Sequence, residues 1–408
     1  VGDAVIVERP STSDWIKHIG MDKIPFRWNS LTGLTEDEIN EAKLKGLLSE
    51  DGKKINITKQ WEPGSKNLFF ERVIKDIVGN KIIFNVPLTN AFQKEFGAGY
   101  VYKYEVKDRI SQIGIENLKG ESFFDQSVVK NDPYVGEYFA DEEHTSTFVN
   151  MENCENVWVR DLTGSHFNNG IAMRYWSRNV TVQDCKLFDP VATIAGGRRS
   201  AYLFANSQMC LVQRCYSRNY RHDFSLGETA SGPNAFVDSY TEMTFNSSEP
   251  HQRWSNGCLF DNCSLSGPVS YFTAVNRGNY GTGHGWAGAQ MLFWNCKSPI
   301  TIVMKPPTGQ NFSIGGLNHV DEKWSTPEEL QIRIDKMNLV SGVRFEYEGL
   351  PVVGNGYIES PEALVKPTYL YYKQLLDRLG KTAVINVTSI EQQNIIFGEE
   401  KKLNCKFK

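Results

Sequence analysis

One position that recurs as cysteine through the middle of the chain constrains the fold more than any other feature. It is occupied by Cys185, Cys215, Ser239, Cys263 and Cys296, at steps of 30, 24, 24 and 33 residues. Each occurrence ends a run of about six residues with apolar first and third positions, as in VTVQDC and CLFDNC. Such runs are typical of short β-strands that place equivalent side chains in one interior.

This spacing indicates a coiled strand repeat. An earlier member of the series, VWVRDL, ends 23 residues before Cys185. No amphipathic helical stretch separates the units, which argues against crossover helices between the strands. A propeller would need about four strands in every 40 to 50 residues. We therefore predict an all-β chain that folds as a right-handed parallel β-helix with two or three short strands in each coil.

The charge and composition of the chain argue against nucleic acid and a membrane as its partners. The net charge of -4 gives no general attraction to nucleic acid, which needs a basic surface. No apolar run of about 18 residues is present, so no membrane span is expected. The chain lacks a starting Met and a signal peptide and opens on the strand-like VGDAVIV. We expect a processed or truncated start, with earlier coils missing as one alternative.

The eight cysteines are expected to be reduced core residues rather than four disulfides. A small thiol stacked on itself fills a narrow interior. The spacings of Cys210 to Cys215 and of Cys258 to Cys263 are unlike those of zinc ligands, and no histidine pair completes a set of four. No metal site is predicted. A calcium requirement is left open, although no compact aspartate cluster points to one.

The N-terminal part, 1–105, is predicted to be an entry module rich in strands. It contains a helix over 13–19 with Ser13 or Asp14 as its cap. It also contains a β-hairpin that turns at the VGN sequence of 78–80.

The remaining chain divides into coils and a tail. The β-helix repeats and the candidate site are predicted within 106–320, and 321–408 is predicted to hold further coils and a helical cap. An amphipathic pattern over 369–379 followed by Gly380 indicates a helix that ends at glycine. Solenoids need their open ends covered, so this helix is expected to act as a cap.

Two histidines fall at one offset from the aligned strands. His251 lies seven residues before Cys258, and His284 lies seven residues before Met291. They should occupy one position on neighbouring coils, about 4.8 Å apart. A groove that combines histidine, arginine and tryptophan offers a base, anion donors and a stacking surface.

The candidate residues come from the polar turns between these strands. The catalytic candidates are His222, Asp223, His251, Arg253 and His284. The candidates for substrate binding are Arg199, Arg221, Glu249, Trp254, Asn276, Arg277, Asn279 and Trp286.

Two reactions fit these candidates. In β-elimination from a uronate polymer, His251 or His284 would take the proton next to the carboxylate. Arg253 and Arg277 would hold the carboxylate, and Asn276 or Asn279 would donate hydrogen bonds.

Hydrolysis instead needs two carboxyl groups, for which Asp223, Glu228 and Glu249 are the candidates. The cluster of histidines and arginines is richer than the cluster of carboxylates, so we expect elimination.

The strand repeat and the turns RHDF, PHQRW, NRGN and GHGWAG resemble the pectate-lyase-like β-helix superfamily, and within it bacterial secreted proteins that degrade polysaccharides. The resemblance is strong over 147–316 and weak elsewhere. It implies a right-handed β-helix with a carbohydrate groove along one sheet, and a secreted or periplasmic location. It leaves the reaction open, because the superfamily includes lyases, hydrolases, epimerases and fibres.

The chain also departs from the better-known members of that superfamily. It lacks a recognisable calcium-binding aspartate set with an arginine base, and it lacks the paired aspartates of polygalacturonases. The expected function is cleavage of an acidic polysaccharide by a monomeric lyase. A glycoside hydrolase and a β-helix that binds glycan without turnover are the alternatives.

Overall fold

A computed structural model describes residues 1–318, 324–344, 346–347 and 349–406. The described chain is rich in strands, with helices near both ends. The elements before residue 105 are β1 (Ala4–Arg9), α1 (Ser13–His18), β2 (Trp28–Ser30), α2 (Glu36–Leu44), β3 (Lys54–Asn56), β4 (Leu68–Val78), β5 (Lys81–Phe84), a 3-10 helix (Lys94–Phe96) and β6 (Tyr100–Lys103).

Short strands are the most numerous elements in the chain that follows, and three helices come near its end. In chain order they are β7 (Ile110–Glu116), β8 (Lys119–Glu121), β9 (Val129–Asp132), β10 (Gly136–Phe139), β11 (Thr147–Glu152), β12 (Cys154–Arg160), β13 (Thr163–Ser165), β14 (Asn169–Arg174), β15 (Arg178–Gln183), β16 (Lys186–Phe188), β17 (Ser200–Ala205), β18 (Leu211–Gln213), β19 (Tyr216–Arg218), β20 (His222–Leu226), β21 (Ser231–Val237), β22 (Tyr240–Glu242), β23 (Ser247–Pro250), β24 (Ser255–Asp261), β25 (Ser264–Leu265), β26 (Tyr271–Ala274), β27 (Gly288–Ala289), β28 (Leu292–Ser298), β29 (Thr301–Val303), β30 (Phe312–Asn318), α3 (Pro327–Ser341), β31 (Val352–Val353), β32 (Tyr357–Glu359), α4 (Leu370–Val387) and α5 (Ile390–Lys406).

Most of these strands form three runs of parallel strands. One run follows the order β11, β14, β17, β20, β23, β26, β29 and β31, and we call it the cleft-bearing run. The second follows β7, β12, β15, β18, β21, β24 and β28, and the third follows β8, β13, β16, β19, β22 and β25 before it rejoins β28. Successive coils therefore add one strand to each run, which is a solenoid, or β-helix-like, arrangement.

The predicted repeat is confirmed in its register. Val182 pairs with Val212, which pairs with Phe236 and then Phe260, as the steps of 30, 24 and 24 residues require. The rings of Phe236 and Phe260 stack with centroids 5.2 Å apart. Equivalent side chains thus meet in the interior and bury apolar surface coil by coil.

The cysteines behave as core residues. The seven whose side chains are described are buried and unpaired, as the stacking argument predicts. Cys263, for example, is fully buried, and burial raises the pKa of its thiol well above the ordinary value. Among the described helices, none has both the length and the apolar content that crossing a bilayer would require.

The N-terminal module contains an antiparallel sheet in the order β5, β4, β1 and β6. The predicted hairpin is confirmed as β4 and β5. The predicted helix is confirmed as α1, but its cap is Thr12, whose hydroxyl accepts a hydrogen bond from the Trp15 amide over 3.3 Å. Ser13 and Asp14 are the first two residues of the helix itself, one and two positions after the cap.

This module is docked on the side of the solenoid. The buried guanidinium of Arg72 donates to Gln208 and to the carbonyl of Gly232, each over 2.9 Å. The ring of Trp15 meets the ring of Trp254 edge-on at 4.8 Å. The entry module is therefore fixed against the turns that carry the candidate residues.

The C-terminal helix is confirmed, but the expectation that it caps an open end is wrong. Gly380 has a φ of 80° and interrupts α4 where the sequence predicted a stop. Residues of α4 and α5 pack instead on the outer face of β18 and β21, against Leu211 and Val237. An amphipathic helix covers whichever apolar surface is exposed, and here that surface is a flank. The predicted boundary between 320 and 321 lies outside the described residues.

Candidate active site

A cleft of about 920 Å³ lies on the outer face of the cleft-bearing run. Its floor is made by residues of β14, β17, β20, β23 and β26. One rim carries Arg27 and Ile57 from the N-terminal module, and another carries Lys336 and Met337 from α3. The cleft is thus built on the solenoid and flanked by segments from both ends of the chain.

Small residues in one row of paired strand positions leave space on the floor of the cleft. Arg174 pairs with Ala205, and continuing the pairings of the next strands places Gly227 and His251 in the same row. Strands about 4.8 Å apart put Arg174 and His251 about 14 Å from each other along the axis. Ala205 and Gly227 add almost no side-chain volume between them, which leaves room for a ligand.

Glu249 is at the centre of a polar cluster in this cleft. His251 Nδ1 lies 2.8 Å from Glu249 Oε1, and Arg277 donates to the same oxygen over 2.5 Å. Arg277 also donates to the His251 carbonyl over 2.8 Å. Glu249 is only 1% exposed, so its charge is balanced by the guanidinium rather than by water.

These contacts assign the tautomer of His251. A carboxylate only accepts hydrogen bonds, so the Nδ1–H of His251 donates to Glu249 and Nε2 keeps its lone pair. Arg277 Nη1 lies 2.8 Å from the same Nδ1, because both donors are drawn to one carboxylate oxygen. His251 lines the cleft with 22% of its side chain exposed. An imidazole oriented by a carboxylate in this way has the form of a general base.

His222, also predicted as catalytic, has both nitrogens engaged. Its Nδ1 lies 2.9 Å from the carbonyl of Ser247, and its Nε2 accepts from Arg221 over 2.8 Å. Its ring packs edge-on against that of His251, with centroids 4.5 Å apart. This geometry suits His222 to holding the His251 ring rather than to moving a proton itself.

The prediction that His251 and His284 share one position is confirmed. Ser255 pairs with Gly288, which places the two histidines four residues before equivalent positions. Their ring centroids lie 4.9 Å apart. The His284 Nδ1 is buried without a hydrogen-bond partner among the described residues. A Cβ on Gly281 would approach the His284 ring to 2.1 Å, so the ring needs glycine at that position.

Burial lowers the pKa of all three histidines. For His251 the charges of Arg277 and Arg221 add to burial, and the pKa lies well below its ordinary value. For His284, burial and Arg277 lower the pKa to about 2. The pKa of His222 is lowered by burial and by the neighbouring His251. The rings are therefore neutral at neutral pH.

Arg253 is connected to the cleft through residues that line it. It donates to Glu228 and to the hydroxyl of Thr282, each over 2.7 Å, and both of these partners line the cleft. Lys66 of the N-terminal module pairs with the other oxygen of Glu228 at 2.7 Å. Burial acts to raise the pKa of Glu228, but the hydrogen bond from Lys66 and the charge of Arg253 outweigh it, and the pKa is lowered.

Asp223, predicted as catalytic, does not line the cleft. Its side chain is fully buried and accepts hydrogen bonds from Ser217 over 2.6 Å and from Thr244 over 2.9 Å. It points into the coil, while the adjacent His222 lines the cleft. Burial raises the pKa of Asp223 to about 6.

The two tryptophans predicted to stack on sugar do not line the cleft. Trp254 is fully buried, and its indole donates to Asn90 over 3.0 Å. Trp286 is 7% exposed and packs in the same core between the solenoid and the N-terminal module. Both rings pack between the solenoid and that module. The local sequence does not indicate this contact, because the module is distant in the chain.

Three further predicted binding residues lie elsewhere. Arg199 lines a separate cavity and donates to the carbonyls of Ala192 and Asn219 over 2.8 and 3.1 Å. The Asn276 side chain accepts from an amide two residues on, and Asn279 donates to a carbonyl of the N-terminal module. These side chains satisfy the backbone, which is a common role for such residues in turns.

His222, Glu249 and His251 also form the group of potential metal ligands, with ligand atoms within 4.8 Å of one another. Arg277 lies 2.5 Å from the Glu249 oxygen that a metal would use. Both nitrogens of His222 are engaged as well. A guanidinium in this position repels a cation, so the donor set fits a hydrogen-bonded cluster better than a metal ion.

Several cleft residues escaped the sequence analysis. Tyr280 stands in a turn already rich in candidates, and its position there could have indicated it. Arg174 is the last residue of β14 and Tyr175 follows it, while Arg27 and Lys336 come from distant elements. No local sequence signal could have brought these last two to the site.

The described residues that line the cleft carry an excess of positive charge. The acidic ones are Glu228 and Glu249, whereas the basic ones are Arg27, Arg174, Arg221, Arg277, Arg333 and Lys336. Because the whole chain has a net charge of -4, this local excess is a property of the cleft. A cleft of this kind concentrates anions.

No family model, characterised protein or solved structure matches this chain.

Proposed function

We propose that this protein is a carbohydrate-active enzyme that cleaves an acidic polysaccharide by β-elimination. Its fold would be a right-handed parallel β-helix of the pectate-lyase-like kind. The observation that supports this proposal most is the Glu249–His251 pair in a cleft with excess positive charge. The pair supplies a neutral base, and the charge supplies affinity for a uronate.

In the proposed reaction, His251 Nε2 removes the proton from the carbon next to the uronate carboxylate. The electron pair of that bond forms a double bond to the adjacent carbon, from which the glycosidic oxygen departs. The proton remains on the imidazole. Glu249, bonded to Nδ1–H, keeps the ring in place and stabilises the imidazolium that forms.

Arg221 is suited to bind the substrate carboxylate. It makes no ion pair with a carboxylate among the described residues, and its guanidinium lies beside His222 at the cleft surface. A fixed positive charge at this point stabilises the negative charge that develops as the proton leaves.

Tyr280 is suited to protonate the departing oxygen. It lines the cleft, and the Arg277 guanidinium lies 5.5 Å from the centre of its ring. Burial raises the pKa of Tyr280, so the phenol keeps its proton until the leaving oxygen takes it.

Hydrolysis by two carboxyl groups has less support. It needs one protonated carboxyl group with a raised pKa facing the substrate. Asp223 has a raised pKa but points into the coil. Glu228 faces the cleft, but its ion pairs lower its pKa. Glu249 is buried and hydrogen-bonded to His251 and Arg277, which suits it to orient the imidazole.

We further propose that the protein is secreted or periplasmic and that it acts as a monomer. A secreted or periplasmic location fits a protein that acts on a polymer found outside the cell, and one chain supplies all the groups used above. The reaction as written uses no cofactor.

The test is incubation with acidic and neutral polysaccharides, following the ultraviolet absorbance of unsaturated uronyl products and the reducing ends in parallel. Both signals should rise together on an acidic polymer. His251→Ala should abolish both, and His166→Ala, outside the cleft, should not. Reducing ends without absorbance would contradict elimination. The absence of both signals on every polymer would favour a protein that binds glycan without cleaving it.

A further inference from the structure

Two exposed aromatic side chains stand at one end of the cleft. Tyr175 is 53% exposed and Trp176 is 41% exposed, in the turn that follows β14. Tyr175 lines the main cleft, and both rings line an adjoining cavity of about 240 Å³. The two cavities share Tyr175, Asn206 and Glu228, so the cleft continues over this aromatic pair.

The strand register connects the pair to the proposed catalytic residues. Arg174 pairs with Ala205, which places Tyr175 next to Asn206 on the following coil. Continuing the same row leads to Glu228 and then to Gln252, and all four residues of the row line the cleft. A ligand lying along this row would pass from the aromatic pair to the residue beside His251.

The backbone at the pair is unusual. Tyr175 has a φ of 22° and Trp176 a φ of 63°, a region in which bulky residues are rare. The Trp176 amide donates to the carbonyl of Asn206 over 3.2 Å, and the carbonyl of Tyr175 accepts from Asn153 over 2.9 Å. The next coil places Asn206, a residue that tolerates positive φ, at the equivalent position. Two large aromatics held there against their preference point to a function.

The other end of the cleft is closed. The turn with Thr282 bonds to the N-terminal module, where the Lys59 amide donates to its carbonyl over 3.0 Å. A Cβ on Gly278 would lie 2.6 Å from the carbonyl of Val340 in α3. The cleft therefore continues past Tyr175 into the adjoining cavity, where the Trp176 ring lies 5.9 Å from the ring of Phe69 of the N-terminal module.

We propose that Tyr175 and Trp176 form a stacking platform for the sugar rings of an acidic polysaccharide as the chain leaves the cleft. The ligand class rests on the function proposed above. Aromatic faces suit the apolar faces of sugar rings. Arg174 lines the cleft beside the platform and makes no ion pair with the described residues, so it can bind an acidic group of the same chain.

The test uses Tyr175→Asn and Trp176→Asn, because asparagine keeps the left-handed backbone while it removes the ring. Tyr175→Phe and Trp176→Phe keep a ring, and Phe123→Asn removes an exposed ring outside the cleft. Dissociation constants for polygalacturonate, alginate and hyaluronan are measured by calorimetry in the His251→Ala background, with galacturonate and glucuronate monomers alongside. We expect each platform substitution to weaken polymer binding about tenfold and to leave monomer binding and the three controls unchanged.

The outcomes separate the platform from the reaction. Polymer binding that depends on the two rings supports the platform even if the wild-type protein shows no turnover. Wild-type turnover with unchanged polymer binding in both asparagine variants would overturn the platform and leave the reaction standing. Failure of the His251→Ala protein to bind any of the three polymers would also overturn the platform.

Discussion

The properties proposed for His251 come from its immediate neighbours. Glu249 fixes the Nδ1–H tautomer, His222 packs against the ring, and burial together with the adjacent arginine charges lowers the pKa so that the imidazole is neutral. The arrangement makes base strength depend on the ligand, because a bound carboxylate offsets the arginine charges that lower the pKa of His251.

We expect Glu249→Gln to lower kcat about 100-fold with little change in KM, because an amide orients the ring but does not stabilise the imidazolium. Steady-state kinetics on the substrate found in the polysaccharide assay would measure this change. His166→Ala is the control for a lost polar contact outside the cleft. An unchanged kcat in Glu249→Gln would contradict the proposed role of the pair.

We expect Asp223→Asn to remove a pH dependence of stability. Burial raises the pKa of Asp223 to about 6 from an ordinary value of 3.8. As the pH rises between these values, the unfolded chain loses a proton that the folded protein still holds. The wild-type free energy of unfolding should therefore fall across this window, by about 3 kcal/mol at most.

Urea unfolding at pH 4, 5, 6 and 7 would measure this effect as a difference between the two proteins. Asp261, whose pKa burial raises to about 7, contributes equally to both and cancels in the difference. Parallel curves for the wild type and the variant would show that Asp223 ionises normally.

Helix α4 packs on the solenoid away from the cleft. Its Tyr372 is fully buried, donates to Gln213 over 2.9 Å and accepts from Gln392 of α5 over 3.2 Å. The Tyr371 amide donates to Asp261, the last residue of β24, over 2.7 Å. These contacts lie on a different face of the solenoid from the cleft, so the helix stabilises the coils without shaping the site.

We expect Tyr372→Phe to lower the free energy of unfolding by about 1–3 kcal/mol, since it leaves Gln213 and Gln392 without their shared partner. Hydrogen exchange in α4 and α5 should increase, and activity should be retained. Tyr371→Phe is the matched control, because no hydrogen bond of its hydroxyl is found among the described residues. Equal effects of the two substitutions would contradict the role given to the Tyr372 hydroxyl.

The repeat could be predicted from the sequence because it depends on local periodicity. The strand register and the adjacency of His251 and His284 both follow from residue offsets. The role of Trp254 could not be predicted, because it depends on Trp15 from a distant module. Lys336 is a similar case, because α3 reaches the cleft from the other end of the chain. Offsets along the coils identify neighbours within the solenoid and contain no information about segments that dock on it.

Across the whole molecule, the coils supply the cleft floor and the two ends of the chain supply its rims. The N-terminal module closes one side through Arg27 and Lys66, and α3 adds Lys336. At Tyr175 the cleft continues into the adjoining cavity. A cleft of this shape with excess positive charge suits a long anionic chain with one bond placed at His251.

The most direct measurement of the central proposal uses a polymer substrate that carries deuterium on the carbon next to the carboxylate. Elimination by His251 predicts a primary isotope effect on turnover and an unsaturated product that has lost the deuterium. A product that keeps its deuterium, formed at the same rate as from unlabelled substrate, would contradict proton removal by His251 and the proposed function with it.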